Sequence, residues 1–461
     1  MPLLNLAAIA VILLIFVAIG FQARSIGGLD DYLTARQSQS GLTLGLSFLA
    51  SGMGAWILFA PPEVGAFVGP VAVAGYALGS ALPFVVLGVI GPTIRRQLPA
   101  GRSLTEFAAS RFGGAMRRWV SILSVLYMLC FLAAELTAIG AITTLLSGLD
   151  GRYVIVGVAL ATLIYTAIGG LRASLLTDRW QAWLLVGLVG LVAFAALALA
   201  PARPGEAAPT STLPNTGLAA SLGVALTLII AVTAANLFHQ GYWQRVWAAR
   251  DDRALKTAAL VGGASTVGVV AVLGGAGILA ALRGLPLGSP PIPFFALLSE
   301  APQWLALPAL LLAITLVASS VDTLQNALVS LGVTESQSIG LTGARWLSAL
   351  LMLPVVGLAL QEISVLRLFL IADLLCATAV VPLLSGLSER VPTRAAILGA
   401  GAGLIGAVLP GTVMGGSIAA GLVAASFPAA VPTLGPFLGA LVASSLITGL
   451  VSAGWPVKRP D

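Results

Sequence analysis

The chain has 461 residues, of which 58% are hydrophobic and 9% are charged, and its formal net charge at pH 7 is +6. Soluble domains carry about one quarter charged residues, so this composition and a mean hydropathy of +1.03 exclude a soluble enzyme and indicate a polytopic membrane protein. The arginines cluster in short loops, which points to membrane orientation and not to nucleic-acid binding.

Apolar segments long enough to cross a hydrocarbon core of about 30 Å recur along the chain. The first, at 4–21, has neither a basic n-region nor a cleavage site, so we expect a retained helix. Residues 412–427 either form a fourteenth span or extend a neighbour. We therefore expect one all-α transmembrane domain, 1–461, with about 13 helices and no soluble domain. The other twelve spans are 42–69, 70–92, 117–147, 153–171, 177–200, 219–246, 256–282, 303–332, 341–360, 363–386, 394–410 and 434–453.

Loop charges predict the orientation of these spans. Lys and Arg are frequent in loops 93–118, 245–256 and 386–394, and rare in loops 148–152, 201–218 and 283–302. Basic loops stay in the cytoplasm. This places the N-terminus outside and the tail, with Lys458 and Arg459, inside, and we expect a bacterial inner membrane.

Two spans are interrupted at corresponding places. Gly52-Met53-Gly54 interrupts the second span, and His239-Gln240-Gly241 interrupts the seventh. Each interrupted span opens a block of five spans, 42–200 and 219–386, between the extra helix 4–21 and C-terminal helices at 391–453. Paired broken helices in two such halves are typical of inverted-repeat transporters with a binding site at the breaks. The alternative is that the glycines only let helices pack closely.

The ninth span contains a polar cluster, Ser319-Ser320 and Asp322-Thr323, in an otherwise apolar segment. Residues 319, 322 and 323 share one helix face, and Ser320 lies about 100° around the axis. A hydrogen-bonded patch between helices would explain the serines. It would not explain Asp322, because a carboxylate at the bilayer centre costs about 3 kcal/mol or more. Hard oxygen ligands of this kind favour a Na⁺ site.

A further carboxylate, Asp178, follows a predicted helix end at Gly169-Gly170. Thr177-Asp178 could begin the next helix, so Asp178 is either an N-terminal cap, an ion ligand on the inward path, or both.

Five stretches resemble the sodium:solute symporter family: DYLTARQS at 31–38, SFLASGMGAWILFAPPEVG at 47–65, YTAIGGLRASLLTDRWQ at 165–181, QGYWQRVWAARD at 240–251 and ASSVDTLQNA at 318–327. The resemblance covers nearly the whole chain. It implies a LeuT-type fold of two inverted five-helix repeats, a small polar solute, and Na⁺ as the coupling ion, with no organic cofactor and no obligatory protein partner.

The resemblance also implies ligands. The Na⁺ site would use the carbonyls of Ala50, Met53 and Leu316 and the hydroxyls of Ser319 and Ser320. A second Na⁺ site, present in some members, would use Asp178, Ser319, Asp322 and Thr323. Some members carry an aspartate where this chain has Gly52, so any role of that carboxylate is absent here.

The family's solute lies beside both breaks, which makes seven residues candidate solute contacts: Gly54, Trp56, Ile57, Tyr76, Glu135, His239 and Gln240. Alternative roles remain for several of them. His239 could make an interhelical hydrogen bond, Trp56 could serve in packing or as a gate, and Glu135 could be a protonated acid bonded within the bundle.

Glu135 carries the clearest indication of the solute. It lies in the middle of a span, where a carboxylate should face a cavity or a partner. Carboxylates accept hydrogen bonds or balance cations, so we expect a donor-rich solute such as an amide, an amine or a polyol. GYWQ at 241–244 and FLIADLLCATAVVPLL at 369–384 resemble the urea-transporting branch. Asp373 has the same two readings as Glu135, and Glu63 is placed near the outer vestibule.

These observations together predict a sodium-coupled symporter that imports a small polar solute by alternating access and performs no enzymatic reaction. Two competing hypotheses remain. The first is a proton-coupled carrier on the same scaffold, with Asp322, Glu135 or Asp373 carrying the proton. The second is a sensor or channel.

Overall fold

The computed structural model describes residues 2–22, 28–198, 217–285, 287, 292–299, 303–336, 338–361, 365–428 and 432–455. Most of loop 201–218, much of loop 283–302 and the tail with Lys458 and Arg459 lie outside the described residues. Within these ranges the secondary structure is helical, with one isolated β-bridge between Gln39 and Ala249.

The described residues form eighteen α-helices. In chain order they are α1 (Pro2–Gln22), α2 (Gly28–Thr34), α3 (Gly41–Gly52), α4 (Trp56–Phe67), α5 (Pro70–Gln97), α6 (Leu104–Phe112), α7 (Gly114–Ser147), α8 (Gly151–Ala198), α9 (Leu218–Leu237), α10 (Gln240–Ala248), α11 (Asp252–Leu282), α12 (Pro293–Ser299), α13 (Ala306–Ser336), α14 (Leu341–Ala359), α15 (Val365–Leu384), α16 (Thr393–Gly415), α17 (Ile418–Ala425) and α18 (Leu434–Gly454).

Membrane spans can be counted from these helices. Within the described residues, 11 helices are long and apolar enough to cross a membrane, and the bent pair α3–α4 raises the number to 12. Helix α8 has 48 residues and a non-helical backbone at Gly170, so it contains two of the predicted spans. Residues 412–427 do not form a fourteenth span, because they divide between the end of α16 and the eight-residue α17.

Both predicted breaks are present. Helices α3 and α4 meet at an angle of 68° across Met53–Ala55, and α9 and α10 are separated by Phe238 and His239. Glycine supports such breaks because it gains little from helical conformation and leaves backbone groups free to contact a ligand. The sequence-based prediction of two discontinuous helices is confirmed.

The prediction that a new helix begins at Thr177 is wrong. Only Gly170 departs from helical geometry, with φ 57° and ψ −142°, and the helix then continues through Asp178. A side chain at position 170 would overlap the carbonyl of Tyr32, so both the conformation and the close approach require glycine there. Asp178 therefore lies inside a helix and caps no helix N-terminus.

One end of the bundle is held together by arginines. Arg95 donates to the carbonyl of Ala249 at 2.6 Å and to Asp252 at 2.9 Å, and Arg111 donates to the carbonyl of Gly386. These bonds join loops 93–118, 245–256 and 386–394, so the three basic loops share one face, as the charge pattern predicts. We call this face the arginine-rich end.

The short helix α2 is fastened to the same end. Arg36 donates to both carboxylate oxygens of Asp30, at 2.9 and 3.0 Å, and Arg102 donates to one of them at 3.1 Å. The hydrogen bond from Arg36 lowers the pKa of Asp30 below its ordinary value, partial burial opposes the shift, and the charge of Arg36 adds to it.

Candidate functional site

The first break presents backbone groups in the core of the bundle. The N–H of Met53 donates to the carbonyl of Ala50 at 3.2 Å, and the Trp56 indole donates to the carbonyl of Gly52 at 3.0 Å. Ala50 and Met53 are buried. The chain leaves helical geometry at Met53, whose carbonyl is therefore free to point away from a helix axis.

Glu135, on α7, meets the second half of this broken helix. Its Oε2 accepts a hydrogen bond from the N–H of Ala55 at 2.5 Å. Its Oε1 is buried and has no hydrogen-bond partner among the described residues. A β-carbon at Gly54 would overlap this carboxylate, so glycine lets the carboxylate reach the backbone. Glu135 thus caps the N-terminus of α4 with one oxygen and leaves the other unpaired.

The ninth span, α13, contacts the first broken helix directly. Thr323 donates to the hydroxyl of Ser51 at 2.9 Å, and Ser319 donates to Oδ1 of Asp178 at 2.7 Å. Asp178 also accepts hydrogen bonds from Ser47 and Ser51 of α3, at 2.6 and 3.0 Å. The structure therefore brings together α3, α8 and α13, which lie more than 100 residues apart along the chain.

Arg245 lies in the centre of this cluster. Its guanidinium is fully buried and is 2.8 Å from Oδ2 of Asp178, whose side chain is also fully buried. It donates to the hydroxyls of Ser47 and Ser51, to Thr323 at 3.3 Å, and to the carbonyl of Gly241 at 2.8 Å. The assignment of Arg245 to a cytoplasmic loop is wrong. Its charge lies inside the bundle because Asp178 and several oxygens compensate it.

Asp322 is enclosed by donors from α8. Tyr165 donates to one carboxylate oxygen at 2.5 Å and Thr177 to the same oxygen at 3.3 Å. Ser174 donates to the other oxygen at 2.6 Å. All four residues predicted for the second Na⁺ site are thus close together, with the guanidinium of Arg245 as the cation in their midst.

Ser320 lies on the same helix, between Ser319 and Asp322. It is buried, with 1% of its surface exposed. Leu316, one turn earlier on α13, is equally buried. Ser320 and Leu316 share one face of α13. The hydroxyl and carbonyl oxygens predicted for the Na⁺ site are hard ligands of the kind that such a cation takes.

The second break is organised by His239. Its Nδ1 accepts a hydrogen bond from the N–H of Gly241 at 3.1 Å and so caps α10. Its ring stacks on Tyr242, with 4.6 Å between centroids, and meets the ring of Tyr127 edge-on at 6.0 Å. Since Nδ1 accepts, the proton of a neutral imidazole resides on Nε2.

Gln240 does not point into the region of the breaks. Its amide nitrogen donates to the carbonyl of Arg102 at 2.6 Å, and its amide oxygen accepts from the N–H of Leu104 at 3.3 Å. Both partners precede or begin α6 at the arginine-rich end. The amide of Gln240 thus fastens α10 to the α6 segment, and its predicted contact with a solute stays a prediction.

Aromatic side chains surround the remaining candidates. Trp56 and Tyr76 stack with 5.5 Å between ring centroids. Each keeps 7% of its surface exposed, whereas Ile57 is fully buried. The stacked pair therefore holds the first turn of α4 against α5.

Several residues of the polar cluster escaped the sequence-based prediction. Tyr165 and Ser174 hold Asp322, and Ser47 and Ser51 hold Asp178. Positions 47 and 51 lie one helical turn apart on α3, so their shared face was a usable signal. The signal for Arg245 was its context, since a charge between Trp243 and Trp247 is unusual for a solvent-exposed loop.

Comparison with known proteins identifies the family. The model of the sodium:solute symporter family matches residues 32–273, which is more than half of the chain. The chain belongs to the sodium:solute symporter family. This symporter is therefore a transporter and not an enzyme, and its membership supports Na⁺-coupled solute transport.

Relatives cover different shares of the symporter. The spermidine transporter DUR31 of Candida albicans is 31% identical over 371 residues, which is 78% of this chain and 70% of that protein. Sodium/glucose cotransporter 1 of Mus musculus is 33% identical over 194 residues, 40% of this chain and 29% of its own length. The sodium/glucose cotransporter of Vibrio parahaemolyticus is 27% identical over 161 residues, 34% of this chain and 29% of its own.

Solved structures show the same fold. A Na⁺-coupled sialic acid symporter in a substrate-bound outward-open state superposes with a TM-score of 0.78, at 16% identity and 99% coverage of both chains. A nucleobase-cation-symport-1 family transporter in a closed conformation gives 0.53, at 13% identity, covering 92% of the symporter and 94% of that chain. The symporter therefore has the LeuT-type architecture that the resemblance implied.

Proposed function

We propose that this symporter imports a small organic cation carrying a protonated amine, together with Na⁺, by alternating access. The observation that carries the proposal is the carboxylate of Glu135 at the first break, with one oxygen on the backbone of Ala55 and the other buried and unpaired. An ammonium group would supply the missing donor and balance the charge.

The helix N-terminus at the break supports a cation over an anion. A free N-terminus of a half-helix attracts a solute carboxylate, because unpaired N–H groups and the helix dipole both favour negative charge. Here the N-terminus of α4 is already capped by the symporter's own Glu135. A solute carboxylate would meet a filled anion site and a second negative charge, so acidic solutes are disfavoured.

The name of one relative agrees with this charge pattern. The spermidine transporter DUR31 shares 31% identity over 78% of this chain, and spermidine is a polyamine whose amino groups are protonated at neutral pH. An amide such as urea, which the sequence also favoured, would donate to Glu135 without neutralising it.

Coupling to Na⁺ rests on Ser320 and the carbonyls near Ala50 and Leu316. These groups lie on α3 and α13, which Ser51 and Thr323 already hold together. A Na⁺ bound between the two helices would stabilise the conformation in which they touch, and its loss would free them. Each Na⁺ that enters at −100 mV contributes about 2.3 kcal/mol to solute import.

We place the arginine-rich end in the cytoplasm, with the N-terminus outside. The arginines of this end join loops 93–118, 245–256 and 386–394. By the positive-inside rule, loops rich in arginine stay on the cytoplasmic side. A bacterial inner membrane stays a prediction from the sequence.

Uptake by proteoliposomes tests the proposal. Purified protein would be reconstituted, a Na⁺ gradient imposed at clamped pH, and radiolabelled spermidine compared with urea and sialic acid. We expect Na⁺-dependent accumulation of spermidine and none of sialic acid. Accumulation of sialic acid, or of urea without any amine, would refute the cationic solute.

Replacing Glu135 by glutamine sharpens the test. The amide oxygen of glutamine can still accept from Ala55, so the cap is kept while the charge is lost. Hydrogen bonds to charged groups are worth about 1.5–3 kcal/mol, so the amine KM should rise roughly 10- to 100-fold, with the Na⁺ requirement unchanged. Glu389→Gln removes a carboxylate from the exposed surface and is the matched control. If the amine KM and the Na⁺ concentration required for uptake rose by the same factor, Glu135 would have a structural role instead.

Proton coupling is a second candidate because of the buried charges beside Arg245. The cluster contains two buried carboxylates, Asp178 and Asp322. Among the described residues that donate to either carboxylate, Arg245 is the only cation. One additional cation, either H⁺ or Na⁺, would neutralise the cluster. Uptake driven by a pH gradient in Na⁺-free buffer would select the proton.

A further inference from the structure

Asp373 is a second carboxylate without a partner. It lies on α15, is 8% exposed, and accepts no hydrogen bond or ion pair within the described part of the chain. It stands eight residues after the first residue of α15, about 12 Å along the helix axis. A carboxylate so placed costs about 3 kcal/mol or more unless a ligand compensates it.

Aromatic rings connect Asp373 to Glu135. Phe369 precedes Asp373 by one turn on α15, and its ring lies 4.4 Å from that of Phe131. Phe131 in turn precedes Glu135 by one turn on α7. Residues four apart share a helix face, so each carboxylate lies on the face of its helix that carries one ring of this aromatic contact.

Further aromatic residues extend this surface. The ring of Tyr127 lies 5.3 Å from that of Phe131 and 6.0 Å from that of His239. Aromatic faces attract ammonium groups, most strongly where water is excluded. A carboxylate bordered by aromatic rings is the arrangement that proteins use to bind such groups.

No ion pair is seen between Asp373 and a basic residue among the described residues. Arg245, the buried guanidinium of the polar cluster, is bound to Asp178. Arg367, on the same helix as Asp373, is exposed and donates to the carbonyl of Ser426 at 3.0 Å. The negative charge of Asp373 is therefore available to a solute.

We propose that Asp373, with the rings of Phe131 and Phe369, is a second ammonium site, and that the solute is a linear diamine or polyamine bridging Glu135 and Asp373. This inference rests on the proposed function and adds the number of charges on the solute. One ammonium group binds Glu135 at the break. A second, connected by an alkyl chain that packs on the aromatic rings, binds Asp373.

A pair of ligands of equal chain length tests the second site. Binding of 1,4-diaminobutane and of 1-aminobutane to the detergent-purified full chain in NaCl would be measured by calorimetry. We expect the wild type to prefer the diamine by at least roughly tenfold, because the second charge-assisted contact is made only by the diamine. Equal affinity for the two ligands would overturn the second site and leave the proposed function standing. If neither 1,4-diaminobutane nor 1-aminobutane bound, both the second site and the proposed function would be overturned.

Asp373→Asn then assigns the site. We expect its affinity for the diamine to fall to that for the monoamine, while the monoamine affinity stays at the wild-type value. Asp150→Asn, which removes a carboxylate from the connection between α7 and α8, should leave both affinities unchanged. Equal losses for both ligands in Asp373→Asn would show a structural effect and overturn the assignment. Should that variant not fold, the preference of the wild type still decides between one ammonium site and two.

Discussion

Replacing Arg245 by methionine removes the only cation seen to contact Asp178 in the described structure. The ion pair is 2.8 Å long and both side chains have 0% exposure, so water cannot solvate the carboxylate that remains. Removal of one partner from such a pair destabilises a protein by about 3–5 kcal/mol. The loss of the bond from Arg245 to the carbonyl of Gly241 acts in the same direction.

The assay is unfolding of the purified protein in mixed micelles, followed by tryptophan fluorescence. Arg250→Met is the matched control, because Arg250 pairs with Asp251 at the surface with 67% of its side chain exposed. Exposed pairs contribute about 0–1 kcal/mol. Adding Asp178→Asn to Arg245→Met should recover part of the lost stability, since position 178 then no longer carries an uncompensated charge.

The same variant tests the second Na⁺ site. Without the guanidinium, Asp178, Ser319, Asp322 and Thr323 retain the oxygens that a Na⁺ could use. NaCl should therefore stabilise Arg245→Met more than the wild type, compared with choline chloride at equal ionic strength. The reasoning is refuted if Arg245→Met is no less stable than Arg250→Met, or if the added Asp178→Asn destabilises it further.

Three further outcomes are expected. Ser320→Ala should raise the Na⁺ concentration for half-maximal uptake about tenfold, the loss of about 1.4 kcal/mol of oxygen coordination; an unchanged requirement would remove this hydroxyl from the site. Gly54→Ala should abolish uptake while the protein still inserts, because its methyl group would overlap the carboxylate that caps α4; wild-type uptake would contradict that cap. The pKa of Asp30 is lowered in the folded state, so its ion pairs stabilise the fold above the ordinary value near 3.8, and the gain is lost as pH falls through the folded value. In melts between pH 6 and pH 3, Asp30→Asn should be less stable at pH 6 and converge with the wild type on acidification.

Much of the fold could be read from the sequence. Apolar segments of sufficient length predicted the membrane spans, and their interruptions at Gly52–Gly54 and His239–Gly241 predicted both breaks. The distribution of arginines predicted which loops share one end, as the bonds of Arg95 and Arg111 confirm. These features follow from local chemistry, because hydrocarbon thickness, helix propensity and loop charge act on consecutive residues.

The partners of the charged groups could not be read in this way. The loop-charge rule counts each residue alone and assigned Arg245 to a cytoplasmic loop, whereas its burial depends on Asp178, 67 residues away, and on oxygens from α3 and α13. Gln240 lies in the motif at the second break, yet it bonds to the segment that begins α6. The sequence determined the spans, the breaks and the supply of oxygen ligands. The tertiary structure decided which carboxylates are compensated by a partner, because pairing inside a membrane is set by contacts between distant helices.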